Sequence, residues 1–206
     1  MNDGYSEVLR AISSEDPTPG GGSVAALVLA HSHSLAIMVS RLTIRSEKWA
    51  DGHNSARKAI ENSEIGISKA ISLANEDAAA FNSVMDAYKL PKSTENEQKI
   101  RKEAIRDSTL NAAEVPLETA EEAIDLLQSI ATLSGNCNAN ALTDLASAAQ
   151  LAKASLSIAG YNVRINLDGL DEELSHSMNT RLEQIFDEAD SNFSKILQDF
   201  SERLGW

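Results

Sequence analysis

Apolar positions return every three or four residues along most of this chain, and the longest such run is unbroken by proline. Between Asn54 and Lys89 there is no proline, and Gly66 is the only glycine. Within it Ile60, Glu64, Ile67, Ile71, Ala74, Ala78, Phe81, Met85 and Tyr88 alternate in steps of four and three, a coiled-coil-like seam with one polar exception. The spacing predicts a helix roughly 50 Å long at ~1.5 Å per residue. Pro91 ends it. Thr94 with Glu97 then forms a capping-box pattern for a helix through Ala104, Ala113 and Leu126, which Pro116 should kink or break.

The remaining elements follow the same logic. A short helix is expected over about Tyr5 to Ser13. Another should start at Ser23, whose hydroxyl can cap free amides, and run to about Leu42. After Gly135 a second seam, Leu142, Leu145, Ala149, Ala152, Leu156 and Ala159, is rich in alanine and lets a neighbouring helix approach closely. Tyr161 to Leu167 alternates like a strand, but with no partner strand the reading is helix or extended connector. A last amphipathic helix covers about Asp171 to Arg203. The fold class is therefore all-α, a single domain over residues 1–206 built as a bundle of long antiparallel helices. Such narrow seams often complete their cores by pairing, so a homodimer is expected.

Composition sharpens this picture in three places. Aromatics make up only 4% of the 206 residues, so the core must be filled by aliphatic and alanine side chains. A net charge of −13 argues against a nucleic-acid partner, although it leaves room for a local basic pocket. Cys137 is the single cysteine, which excludes an internal disulfide and a cysteine-rich metal site. The opening residues lack a basic segment followed by an apolar one. The apolar stretch Val24 to Val39 is short for a membrane span and interrupted by His31, Ser32, His33 and Ser34. The expectation is a cytoplasmic protein without a membrane partner.

Candidate chemistry concentrates in a few segments. In DPTPGGGSVAALV (residues 16–28) Gly20, Gly21 and Gly22 precede a helix, where free amides and bare backbone suit an anion or the close approach of another chain. The segment is neither a Walker loop nor a dinucleotide fingerprint; a simple helix-start loop is the plainer reading. Asp77 flanks the long seam beside small alanines, as a proton-transfer group or as a solvated flanking acid. His31 and His33, two apart, leave a helix on different faces and cannot chelate together. No metal-ligand spacing appears elsewhere. Asn140 and Thr143 read as helix caps, and Asn162 and Asn166, four apart, share a face if helical.

Taken together, PTPGGGSVAA, EDAAAFNSVMDAYKLPKST, VPLETAEEA, GN followed by TDLASAAQLA, and NVRINL resemble the cyclodeaminase/cyclohydrolase family. That family comprises the C-terminal domain of formiminotransferase-cyclodeaminase and its stand-alone relatives. The resemblance runs from about Ser6 to Arg203. It implies an all-helical dimer acting on a tetrahydrofolate derivative, often polyglutamylated, with no cofactor and no metal. Formimidoyltetrahydrofolate cyclodeaminase activity comes first, and methenyltetrahydrofolate cyclohydrolase is the alternative. By the A-x-A-F motif the catalytic aspartate is Asp77. Gly20, Gly21, Gly22 and Ser23 would line the folate pocket, Lys92 would meet a glutamate-tail carboxylate, and Asn136, Asp144, Asn162 and Asn166 would hold polar edges of the pterin or order the pocket. With no formiminotransferase domain in this sequence, a separate formiminotransferase would load any formimino group. The His31–Ser34 segment departs from the family's Ala/Gly-rich pattern and predicts altered helix packing there. Two readings compete: a non-catalytic helical dimer, and an anion-binding regulator built around the GGGS loop.

Overall fold

A computed structural model describes residues 3–205. Six α-helices account for nearly all of them: α1 (Asp3–Ile12), α2 (Gly21–Ile44), α3 (His53–Lys89), α4 (Glu95–Leu133), α5 (Leu142–Leu167) and α6 (Glu172–Leu204). Short 3-10 turns at Glu47–Gly52 and Ala139–Ala141 lead into α3 and α5. No strand occurs among the described residues, and Tyr161 to Leu167 forms the last turns of α5. Helices α2, α3, α4 and α5 pack as a four-membered ring, each against the next and α5 back against α2, while α6 lies over α4 and α5.

Alanine sets the packing. The α5 seam is buried along its whole length, from Leu142 through Leu145, Ala149, Ala152 and Leu156 to Ala159. Against it α2 contributes Ala25, Leu29, Ala36 and Val39. Two buried hydroxyls stitch the pair: Ser32 donates to the Ala148 carbonyl at 2.7 Å, and Ser155 to that of Ala25 at 2.8 Å. By length and composition α2 could cross a membrane, yet 61% of its apolar window is buried inside the bundle.

The ends behave as their chemistry requires. Thr94 and Glu97 form the capping box, with Glu97 N–H on Thr94 Oγ1 at 3.2 Å and Thr94 N–H on Glu97 Oε2 at 2.9 Å. Asp171 caps α6 through the Leu174 amide. At α2 the expectation is corrected: the N-cap is Gly20, the helix starts at Gly21, and no side chain caps it. The Ser23 hydroxyl is engaged elsewhere.

Pro116 does not break α4, which runs through it for 39 residues. A proline has no N–H, so the carbonyl four residues earlier, that of Ala112, loses its helical donor. Asn166 of α5 supplies the missing hydrogen, its Nδ2 donating to Ala112 O at 2.9 Å. The repair comes from a neighbouring helix, which is why the local sequence does not announce it.

The α3 seam is the larger difference. The face turned inward carries Ala56, Ala59, Ser63, Gly66, Ala70, Leu73, Ala74, Ala80 and Ala87. The predicted seam lies mostly on the outside, with Ile71, Phe81, Met85 and Tyr88 exposed. Small residues let α2 and α4 come close on one side, and the bulky apolar residues form an uncovered stripe on the other. The short helix α1 likewise buries no residue and exposes Val8 and Leu9.

Candidate active site

Where α2 begins, it meets the middle of α3 and the end of α5. A cavity of about 320 Å³ lies at this junction, lined by the Pro17–Gly22 loop, Asp77, Phe81 and Val84 of α3, Ala112 of α4, and Asn162, Ile165 and Asn166 of α5. The three glycines have separate reasons. A side chain on Gly22 would occupy the position of the Asp77 carboxylate, so only glycine leaves that carboxylate its seat. Gly21 faces the Asn162 amide, with 3.6 Å between its absent Cβ and Asn162 Nδ2. Gly20 runs extended (φ −107°, ψ −155°) and carries the chain into the helix.

Asp77 is held from α2. Ser23, 1% exposed, donates its hydroxyl to Asp77 Oδ2 at 2.9 Å. Burial pushes the Asp77 pKa above the usual carboxylate range, while the hydroxyl and backbone amide of Ser23 pull the other way. Net, the carboxyl is a better proton acceptor than a solvated aspartate and still has a fixed orientation. Asn162 and Asn166 spend amide hydrogens on helix carbonyls: Asn162 on Ile158 O, and Asn166 on Ala112 O and Asn162 O. What Asn166 can still offer a ligand is its carbonyl oxygen.

The structure therefore gathers Gly20, Gly21, Gly22, Ser23, Asp77, Asn162 and Asn166. It does not bring Asn136 or Asp144 to them. Asn136 lies against Gly52, and its neighbour Asn138 bonds to Leu42 O and Thr43 Oγ1, at the opposite end of α2. Asp144 stands in the first turn of α5, 18 residues or about 27 Å of helix from Asn162. Lys92 lines a second, larger cavity of about 640 Å³ with Arg101, Lys102, Arg106 and Asp171. That basic pocket follows the first along the same helices, since Ile105 in its wall is seven residues, about 10 Å, from Ala112. Arg106 is paired with Asp171 at 3.3 Å, while Lys92 and Lys102 have no acidic partner among the described residues.

Sequence reasoning missed the apolar wall, Phe81, Val84 and Ile165, because periodicity assigns such residues to a core. It also missed Arg101, Lys102 and Arg106. Lys102 and Arg106, four apart, share a helix face in a chain of net charge −13, and that signal was readable. No three His, Cys, Asp or Glu side chains among the described residues come together as a metal site. Cys137 is buried with Arg203 Nη1 3.3 Å from its sulfur, and burial raises the thiol's pKa.

Known proteins share the sequence pattern and the fold. The sequence model described as Formiminotransferase-cyclodeaminase matches residues 4–184. A methenyltetrahydrofolate cyclohydrolase of Methylorubrum extorquens is 34% identical over 175 residues, 83% of this chain and 82% of that protein. The formimidoyltransferase-cyclodeaminase of Mus musculus is 31% identical over 95% of this chain, which spans only 36% of the mouse protein. A crystal structure of formiminotetrahydrofolate cyclodeaminase from Thermotoga maritima superposes with a TM-score of 0.86 at 28% identity, covering 98% of this chain and 96% of that one. With the family's sequence model matched over most of its length and its helical architecture shared, the chain belongs to the formiminotransferase-cyclodeaminase family.

Proposed function

We propose that this chain is a folate one-carbon enzyme, a formimidoyltetrahydrofolate cyclodeaminase that converts 5-formiminotetrahydrofolate to 5,10-methenyltetrahydrofolate and ammonia. The observation that carries the reading is the seating of Asp77: a half-buried carboxyl with raised pKa, fixed by Ser23 over a glycine that leaves it room. Starting from the protonated formimino group, N10 forms a bond to the formimino carbon and gives its proton to Asp77. The carbon–nitrogen bond to the formimino nitrogen then breaks, and Asp77 returns the proton so that the nitrogen leaves as ammonia. One carboxyl that accepts and then donates serves both steps. The methenyl product is a cation, and a carboxylate beside it stabilises the developing charge.

The Methylorubrum relative favours a second reading, methenyltetrahydrofolate cyclohydrolase. There Asp77 takes a proton from water attacking the bridging carbon and returns it to N5 as the carbon–N5 bond breaks, while the hydroxyl on that carbon gives its proton to solvent and becomes the formyl carbonyl. The methenyl chromophore separates the two. Appearance of methenyl absorbance from 5-formiminotetrahydrofolate supports the first reading. Enzyme-dependent loss of methenyl absorbance alone supports the second, and no change in either sinks both.

In this proposal Ser23 acts through Asp77 and is a positioning residue. Ser23→Ala removes one hydrogen bond that favours the ionised carboxyl, so the Asp77 pKa rises further and the acidic limb of the pH–rate profile moves to higher pH. A charge-assisted hydrogen bond of ~1.5 kcal/mol corresponds to a loss of about tenfold in kcat/KM. Ser23→Thr, which keeps a hydroxyl, should restore the profile; an unshifted profile in Ser23→Ala removes Ser23 from this role.

The basic pocket of Lys92, Arg101, Lys102 and Arg106 suits the carboxylates of a glutamate tail extending from the folate. The exposed stripe of Ile71, Phe81, Met85 and Tyr88 suits a second copy of the chain. Sedimentation equilibrium is expected to give twice the 22.1 kDa chain mass, and Ile71→Glu to halve it; a monomeric wild type overturns the dimer.

A further inference from the structure

Asn166 of α5 lines the Asp77 cavity, and its amide is held from two helices. Its Nδ2 donates to Asn162 O, four residues back, at 2.8 Å and across to Ala112 O of α4 at 2.9 Å. The first bond is an ordinary posture for a helical asparagine. Asn75, Asn162 and Asn192 each donate to the carbonyl four residues earlier in their own helix and to no other group. The second bond crosses between helices. It exists because Pro116, buried within α4, has no N–H for Ala112 O and crowds that carbonyl with its ring.

Two carbonyl partners decide which end of the amide faces the cavity. A carbonyl only accepts, so the amide cannot turn round without losing both bonds. Both amide hydrogens are spent, which leaves Oδ1. That oxygen takes no hydrogen from the protein and stays open to solvent. The Asp77 carboxyl, held by Ser23 through Oδ2, likewise keeps an oxygen free. The two fixed polar side chains of the cavity are therefore both acceptors, and they suit a donor. The edge of a reduced pterin carries several N–H groups, and Phe81, Val84 and Ile165 give its ring an apolar wall.

We propose that Pro116 is a positioning residue for substrate binding. By leaving Ala112 O without a helical donor it locks the Asn166 amide, and the Asn166 oxygen accepts an N–H of the pterin. This role rests on the folate reading. Alanine at position 116 would give Ala112 O its own helical N–H, and Asn166 would keep only its bond to Asn162 O, free to turn.

The test compares Pro116→Ala, Asn166→Ala and the double variant, by the methenyl assay with both folates and by urea unfolding. Asn166→Ala is expected to raise KM about fivefold, the effect of one neutral hydrogen bond, with kcat within about twofold of wild type. Pro116→Ala should raise KM as well, although its urea midpoint does not fall, because alanine restores a helical bond. In the double variant KM should equal that of Asn166→Ala, since the proline acts only through the amide. Its stability should also recover what Asn166→Ala loses, because Ala112 O is then paired within α4. A Pro116→Ala enzyme with the wild-type KM overturns the proposal and leaves the folate reading standing. So does a further rise of KM in the double variant, or an equal loss of stability from Asn166→Ala in both backgrounds. If the wild type turns over neither folate, the folate reading falls and the proposal falls with it.

Discussion

Asp77→Asn is expected to lower kcat by roughly 10²–10⁴, the range that a positioned proton-transfer group supplies, while the KM for the folate stays within a few-fold. Asparagine keeps the size of the side chain and can still accept from Ser23, whose hydroxyl lies 2.9 Å from Asp77 Oδ2. It cannot hold and return a proton. The rate in the methenyl assay should therefore collapse without loss of fold. Gly22→Ala gives an independent check on the same idea, because its methyl would take the space of the carboxylate rather than change its chemistry. Both variants should lose turnover, but only Gly22→Ala leaves a group that can titrate, displaced from its seat. If Asp77→Asn turns over at the wild-type rate, Asp77 is not the proton carrier, and another group in the cavity carries the proton.

Much of this site was legible because its parts are local patterns. The glycine run, the A-x-A-F aspartate and the two asparagines four apart each mark a turn of backbone, and the fold brings them to one cavity. What was not legible depends on which helix faces which. The α3 seam has correct periodicity, but two apolar stripes run along that helix, and the alanine stripe won the core because alanine lets α2 and α4 approach. Pro116 read as a break because its rescue, Asn166 on Ala112 O, comes from another helix. Ser23 read as a cap because serine before an apolar run usually caps, and only the packing of α2 on α3 reveals Asp77 as its partner. Asn136 and Asp144 were carried by motif order alone, which says nothing about which end of a bundle a motif occupies.

Residue His33 shows how a departure in one helix is answered in another. Gly66 is the single glycine within α3, and a side chain there would strike the His33 ring, so the two form one fitted crossing of α2 and α3. The fit holds a neutral imidazole. Between pH 6.5, the usual histidine value, and about 4 in the fold, the unfolded chain binds a proton that the folded one refuses. Stability from this residue is therefore full above pH 6.5 and declines as pH falls toward 4. The other titratable groups that line the same groove as His33 are Lys58, Glu122 and Asp125. The two carboxyls, with raised pKa values, act in the opposite sense, taking protons more readily in the fold as pH drops. Asp77 does the same at its own site. A variant that removes only the imidazole isolates its share. Measured by urea unfolding, His33→Leu should gain about 2 kcal/mol relative to wild type on going from pH 7 to pH 5. A difference between the two proteins that does not change with pH would mean that the imidazole at this crossing accepts its proton in the folded state as freely as in the unfolded one.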